Sequence, residues 1–158
     1  MRVPRGGSRV PPGELVERVF ERAPVLTERL RSGGPLGSAD EVLARARETI
    51  GRMSEAEMVA VLDAHPRIGA DPATLSAASR SEQGAGADDA RVLRELAELN
   101  DAYERRFGFR CVVFVNGRPK AKLVAVFRAR LAGDREQELA TGMSEFLAIA
   151  RDRLEHSR

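Results

Sequence analysis

Two short runs carry the residues whose types and spacing could do chemistry. His65-Pro66-Arg67-Ile68-Gly69 places one of the chain's two histidines just ahead of a proline, and Ser79-Arg80-Ser81-Glu82-Gln83 follows with a carboxylate. Imidazole has an unperturbed pKa of about 6.5, so it can both take and give a proton near neutrality. The other histidine, His156, lies near the chain end, where fraying is the default. His65 is therefore the candidate for proton transfer, and Glu82 is its candidate partner. Each residue also has a plainer reading. A histidine at a helix C-terminus can simply complement the helix dipole, and a Glu three residues after a Ser can simply close a capping box.

The elements that must hold these residues read as helices almost throughout. Leu15, Val16, Val19, Phe20 and Leu26 recur at helical spacing, which predicts a first helix stopped by Gly33-Gly34-Pro35. Ser38 with Glu41 and Ser54 with Glu57 form capping-box patterns that open a second and a third helix. The third must end near Ala64, because the residue before Pro66 is pushed out of the helical region. His65 thus falls on a helix terminus. Ser79 with Glu82 repeats the capping pattern in a short turn broken by Gly84 and Gly86.

From Asp88 a long helix carries Val92, Leu96, Leu99, Tyr103 and Phe107 on one stripe and ends at Gly108. Asn100 on that helix is expected to bond a loop. Residues 109–115 are rich in β-branched side chains and end at Asn116-Gly117, so propensity alone favours a strand. No other segment alternates well enough to pair with it. It reads as an extended segment whose backbone groups need other partners, a ligand among them. Leu123 to Leu131 fit another helix closed by Gly133, and Asp134 with Gln137 caps the last one. The fold class expected is all-α: a single-domain helical bundle over residues 13–158 with one extended segment, preceded by a basic, disordered leader at 1–12.

Composition narrows the field. At 158 residues the chain is about one domain on the usual prior and can bury a core without disulfides or metals. Its net charge of +2 comes from interspersed acidic and basic residues, which argues against nucleic acid as a partner. The single cysteine, Cys111, rules out an internal disulfide and a cysteine-built zinc cage, and reads as an inert buried thiol. No run approaches the roughly 18 apolar residues of a membrane span, and the leader lacks the apolar core of a signal peptide. A soluble, cytoplasmic protein is expected. Arginine supplies nearly all the positive charge, and its abundance reads mainly as a compositional trend.

These motifs in this order resemble the 2-oxo-4-hydroxy-4-carboxy-5-ureidoimidazoline (OHCU) decarboxylase family of urate degradation. The resemblance rests on Val19-Phe20-Glu21 with Pro24, Ala64 to Gly69, and Ser79 to Gln83 with Gly84-Ala85-Gly86. It continues through Leu99-Asn100 with Tyr103 and Arg106-Phe107-Gly108-Phe109 leading into Cys111-Val112-Val113. It extends from about Gly13 to Leu154. Two departures stand out: Arg67-Ile68 where the family often has Asp-Leu, and Leu36 after Pro35 where it often has Phe.

The resemblance implies an all-helical fold and a cofactor-independent carbon–carbon lyase that yields (S)-allantoin. The substrate's carboxylate sits on a ring carbon next to an imine, so the electrons released with carbon dioxide flow into the imine, and no organic electron sink or metal is required. By the same likeness His65 is the general acid/base and Glu82 its partner. Ser79, Gln83 and Arg153 bind ureido, carbonyl and carboxylate groups. Pro66, Arg80, Ser81 and the backbone of Cys111, Val112, Val113, Phe114 and Val115 complete the pocket, with no metal ligand. The expected partner is the small-molecule substrate, with neither nucleic acid nor membrane, and a homodimer is expected. The competing reading is a helical interaction module that keeps the fold without the activity. Taken alone, Arg153 would read as a solvated arginine near a helix end.

Overall fold

The computed structural model describes residues 12–34, 36–70 and 90–156. Of the leader expected at 1–12, residues 1–11 lie outside the described residues and Pro12 already opens the first helix; the Ser79–Gln83 capping turn also lies outside them. Within them the protein is all-helical. α1 is Pro12–Val19, α2 Pro24–Ser32, α3 Ala39–Gly51, α4 Glu55–Ala64, α5 Ala90–Phe107, α6 Lys120–Leu131 and α7 Arg135–His156. None of these helices is long and apolar enough to cross a membrane.

Most boundaries follow the local chemistry of the chain. Ser38 accepts from the amide of Glu41 to open α3, and Ser54 with Glu57 forms a complete, reciprocal capping box on α4. Asp134 accepts from the amide of Gln137 at 2.9 Å to open α7. Gly108 closes α5 with φ +81°, a conformation that favours glycine, and its amide donates to Glu104 O at 2.9 Å.

The first predicted helix needs correction. It is two helices, because the chain turns between Phe20 and Ala23, where Arg22 adopts φ +60°. Pro24 then supplies no amide for a continuing helix and serves instead as the first residue of α2. The apolar spacing carries across the break, so periodicity could not reveal it.

α7 is the organising element, packing against α1, α3 and α4, while α5 pairs with α6 and α2 with α3. The α4–α7 approach depends on Gly142, where a Cβ would stand 3.0 Å from the fully buried Leu62. Phe20, Leu26, Leu30, Leu62, Leu96 and Phe127 fill the centre. Fully burying one such side chain contributes about 1.5–3 kcal/mol.

Residues 109–115 are extended and belong to no strand, and Phe109, Cys111, Val112, Val113 and Val115 are buried. Phe109 packs edge-on to Tyr103, with ring centroids 5.9 Å apart, and stacks with Phe107 at 6.1 Å. The side chain of Arg130 donates to the carbonyl of Val112. Arg130 is itself held by Glu138, with Nε to Oε1 at 2.7 Å, and the Tyr103 hydroxyl donates to the same oxygen at 2.7 Å. Both charged side chains of this pair are buried. Removing one member leaves an uncompensated charge in the core.

Glu138→Ala should therefore lower the unfolding free energy by about 3–5 kcal/mol. Tyr103→Phe, which loses the hydroxyl that donates to Glu138 and accepts from Arg130 Nη2, should lower it by about 1.5–3 kcal/mol. Urea denaturation followed by far-ultraviolet circular dichroism measures both. Equal losses in the two variants would mean that the ion pair does not hold this part of the core.

Candidate active site

His65 stands where Pro66 forces it to stand. It is the C-cap of α4, with extended backbone (φ −73°, ψ 139°), and its amide closes the last turn on Leu62 O at 3.1 Å. Beyond this point the helix cannot continue, so the imidazole projects from a fixed terminus into the core. Its ring meets Phe146 of α7 edge-on, with centroids 6.4 Å apart and planes at 81°. Phe146 in turn packs against Phe20, with centroids 6.0 Å apart.

Arg153 follows Phe146 by two helical turns, so the two share a face of α7. It is buried, not solvated: Nη1 donates to Val19 O at 3.1 Å, at the end of α1, and Nη2 pairs with Glu21 at 3.3 Å. The burial that a terminal arginine would not show unaided is supplied by the α1–α2 turn.

The surroundings of His65 set its protonation. Burial, followed by the positive charges of Arg153, Arg110 and Arg22 and opposed only by Glu21, pushes its pKa down to about 4. The imidazole is therefore neutral at pH 7 and free to accept a proton. Cys111 behaves differently: burial pushes its thiol up to about 12, so it is no nucleophile.

The extended segment contributes backbone. The carbonyls of Val112, Phe114 and Val115 are taken by Arg130 and Arg118, the last two at 2.6 and 3.0 Å. Among the described residues no acceptor meets the amides of Cys111 to Val115, although four of the five residues are buried. Buried donors ordinarily find partners. A row of unmet amides in a closed place is a feature that a polar ligand can complete.

Arg67, the departure from the family's frequent Asp, does not put a loose charge beside the imidazole. Its Nε donates to Glu104 Oε1 at 3.1 Å, its Nη2 pairs with the other oxygen of Glu104, and Nη1 reaches Asp101 at 3.0 Å. Asn100 bonds a loop as expected, donating to Ile68 O at 3.1 Å just after the His-Pro pair.

The structure thus brings His65, Pro66, Arg153 and the turn holding Glu21 into one region. Ser79, Arg80, Ser81, Glu82 and Gln83 lie outside the described residues. Arg110, Arg130 and Glu138 were missed by sequence reasoning. A buried charge pair leaves no local periodicity or cap to mark it.

These features define a class: an all-helical protein with one buried imidazole, held neutral at a helix terminus within electrostatic reach of an arginine. The chain belongs to the OHCU decarboxylase family, whose model matches residues 13–155. It is 28% identical over 139 residues to the 2-oxo-4-hydroxy-4-carboxy-5-ureidoimidazoline decarboxylase of Haloferax volcanii, covering 86% of this chain and 82% of that protein. It is 27% identical to a uric acid degradation bifunctional protein of Bacillus subtilis, covering 86% of this chain but 28% of that protein. The fold superposes with TM-score 0.75 on a crystal structure of OHCU decarboxylase in the presence of (S)-allantoin, at 23% identity over 91% of this chain and 96% of the other.

The two histidines should titrate in opposite directions. His156 is exposed and raised, chiefly by the Asp152 carbonyl and then by the Asp152 carboxylate. His65 is lowered to about 4. Because the folded imidazole binds its proton less readily than the unfolded one, stability is full above about pH 6.5. It falls as pH drops toward 4, by at most about 1.4 kcal/mol per unit from this group. Nitrogen-15 imidazole spectra across pH resolve the two rings. A His65 midpoint at or above the ordinary histidine value would contradict the burial described.

Proposed function

We propose that this protein decarboxylates 2-oxo-4-hydroxy-4-carboxy-5-ureidoimidazoline and releases (S)-allantoin. The observation that carries the reading is the neutral His65 imidazole, buried within electrostatic reach of Arg153 in a chain that matches the family along nearly its whole length. A base poised to take a proton beside a cation suits a substrate that bears both a hydroxyl and a carboxylate.

The chemistry needs little equipment. Arg153 attracts and orients the anionic substrate. His65 takes the hydroxyl proton on the carbon that bears the carboxylate. The carbon–carbon bond to carbon dioxide breaks, and its electron pair moves into the adjacent imine of the ring itself. His65 then delivers the proton it took to one face of the former imine carbon as the hydroxyl oxygen becomes the ring carbonyl. A solvent proton settles on the ring nitrogen that received the electron pair, and the face protonated fixes the hand of the product. The unmet amides of Cys111 to Val115 suit the carbonyl oxygens of a ureido-bearing ring, and preorganised amides of this kind stabilise charge as it develops. Glu82 orients or polarises the substrate or holds the imidazole in a useful protonation state, and Ser79 and Gln83 bind the substrate's ureido and carbonyl groups. The roles of these three rest on the family motif. The family likewise supplies the expectation of a cytoplasmic homodimer that acts on a small molecule without nucleic acid or membrane. Its oligomeric state is read by light scattering.

Substrate generated from urate with the two preceding enzymes, and followed by the circular dichroism of allantoin, tests the reading. The protein should accelerate the reaction and make it stereospecific. No gain over the spontaneous, racemic decay would remove the proposal and favour an inactive helical module. His65→Asn should keep the fold and lower turnover by about a hundred- to ten-thousand-fold. Unchanged turnover would make the histidine structural.

A further inference from the structure

The two parts of the site come from segments far apart in the chain: the end of α4, with His65, and the extended run that begins at residue 109. Their junction is made by one residue. The amide of Arg110 donates to the side chain of Asp63 at 2.9 Å. Nη1 of its guanidinium donates to Asp63 O at 2.8 Å and to His65 O at 2.7 Å. Nε donates to Glu104 Oε1 on α5 at 3.1 Å. Glu104 also receives both Nε and Nη2 of Arg67, two residues beyond the imidazole. Although burial disfavours its charge, the hydrogen bonds from Arg67 and Arg110 hold the Glu104 carboxyl below its usual range.

We propose that Arg110 is a positioning residue for the reaction: it fixes the register between the peptide that carries His65 and the extended segment with its unmet amides. The inference rests on the decarboxylase reading for its functional meaning and on geometry for its existence. At a helix end the last carbonyls have no partner in their own helix. Without a partner for His65 O, the peptide that leads into Pro66 could rock about ψ of His65, and the Cα that carries the imidazole would shift with it. Arg110 removes that freedom with one nitrogen that binds both terminal carbonyls, and it anchors the rest of its guanidinium to Glu104.

The planar fork matters more than the charge. Lysine at 110 would bring a single nitrogen and could not hold two carbonyls and a carboxylate in this arrangement. A catalytic group displaced by about 1 Å loses on the order of a hundredfold in rate. The charged groups acting on the ring are Arg153 from α7, Glu21 and Arg22 from the α1–α2 turn, and Arg110 from the extended segment.

The test uses the whole protein with Arg110→Met, Arg110→Lys and, as a control for lost stability alone, Ser54→Ala, which removes the α4 cap. Ser54→Ala should cost about 1 kcal/mol and leave turnover unchanged. Both Arg110 variants should lose on the order of a hundredfold in kcat, a larger loss than any rise in KM, while urea midpoints stay close to that of Ser54→Ala. In the unliganded protein, nitrogen-15 spectra should show the His65 midpoint rising in Arg110→Met, because a nearby positive charge is gone and the ring is less firmly held.

Turnover retained by Arg110→Lys would overturn the claim for the fork. Turnover retained by Arg110→Met, or a His65 midpoint that does not move in it, would overturn positioning altogether. Absence of activity in the wild-type protein would refute the decarboxylase reading instead, and the imidazole titration would still decide the role of Arg110.

Discussion

An all-helical protein leaves carbonyl groups stranded wherever a helix ends, and water cannot meet those that are buried. Here arginines brought from elsewhere in the chain meet them. Arg153 takes Val19 O at the end of α1, Arg45 takes Leu30 O and Gly34 O around the end of α2, and Arg135 takes Phe107 O at the end of α5. Arg110 does the same for α4. The extended segment poses the same problem more acutely, since it is buried without a sheet, and Arg130 and Arg118 answer for its carbonyls. Each such contact fastens one element to another, so satisfying the backbone and assembling the tertiary structure are a single act.

This division of labour explains the scarcity of lysine, which occurs only as Lys120 and Lys122. An ammonium is a point charge on a flexible stem, whereas a guanidinium presents five donors in a plane and can serve two acceptors at a known angle. The arginine-rich composition is therefore a structural solution and more than a compositional trend. It also distributes the cost of burying charge. Arg130 is as buried as Arg153, and it is tolerated because Glu138, the Tyr103 hydroxyl and Val112 O each meet one of its three nitrogens. On the segment it holds, the carbonyls of Val112, Phe114 and Val115 are engaged, while among the described residues no acceptor meets the amides.

What could be read from the residues was what is local. Ser38, Ser54 and Asp134 announce helix starts within three residues of themselves, Gly108 announces an end, and Pro66 fixes where α4 stops. Even the loop contact of Asn100 was legible, because a polar residue on an otherwise apolar stripe must bond something. The break at Arg22 was not, since the apolar rhythm runs through it and the positive φ depends on packing. The burial of Arg153 was equally hidden, because its partner Val19 is 134 residues away in sequence. The family motif pointed to Arg153 where periodicity gave no reason to. The network of Arg110, Glu104 and Arg67 spans 37 residues from Arg67 to Glu104 and 45 from Arg110 to the His65 carbonyl it binds, and each of the three reads singly as a surface charge.

The electrostatics of His65 follow from the same arrangement. Arg153 and Arg110, recruited to cap helix ends, lie around the core terminus of α4 with Arg22 of the α1–α2 turn, so their positive charges act on the imidazole with Glu21 opposing them. That field discourages a proton on the ring and favours an anion beside it. For a decarboxylase the two effects are complementary. A neutral base is available before substrate arrives, and the substrate's own carboxylate would offset the arginines that kept it neutral. The incoming charge would thereby raise the basicity of His65 at the moment a proton must be taken; carbon dioxide then leaves uncharged, the electron pair stays on the ring, and that ring anion is the base to which the proton is given back. In this arrangement the capping of helix ends by arginine and the neutrality of the His65 imidazole are consequences of one distribution of charge.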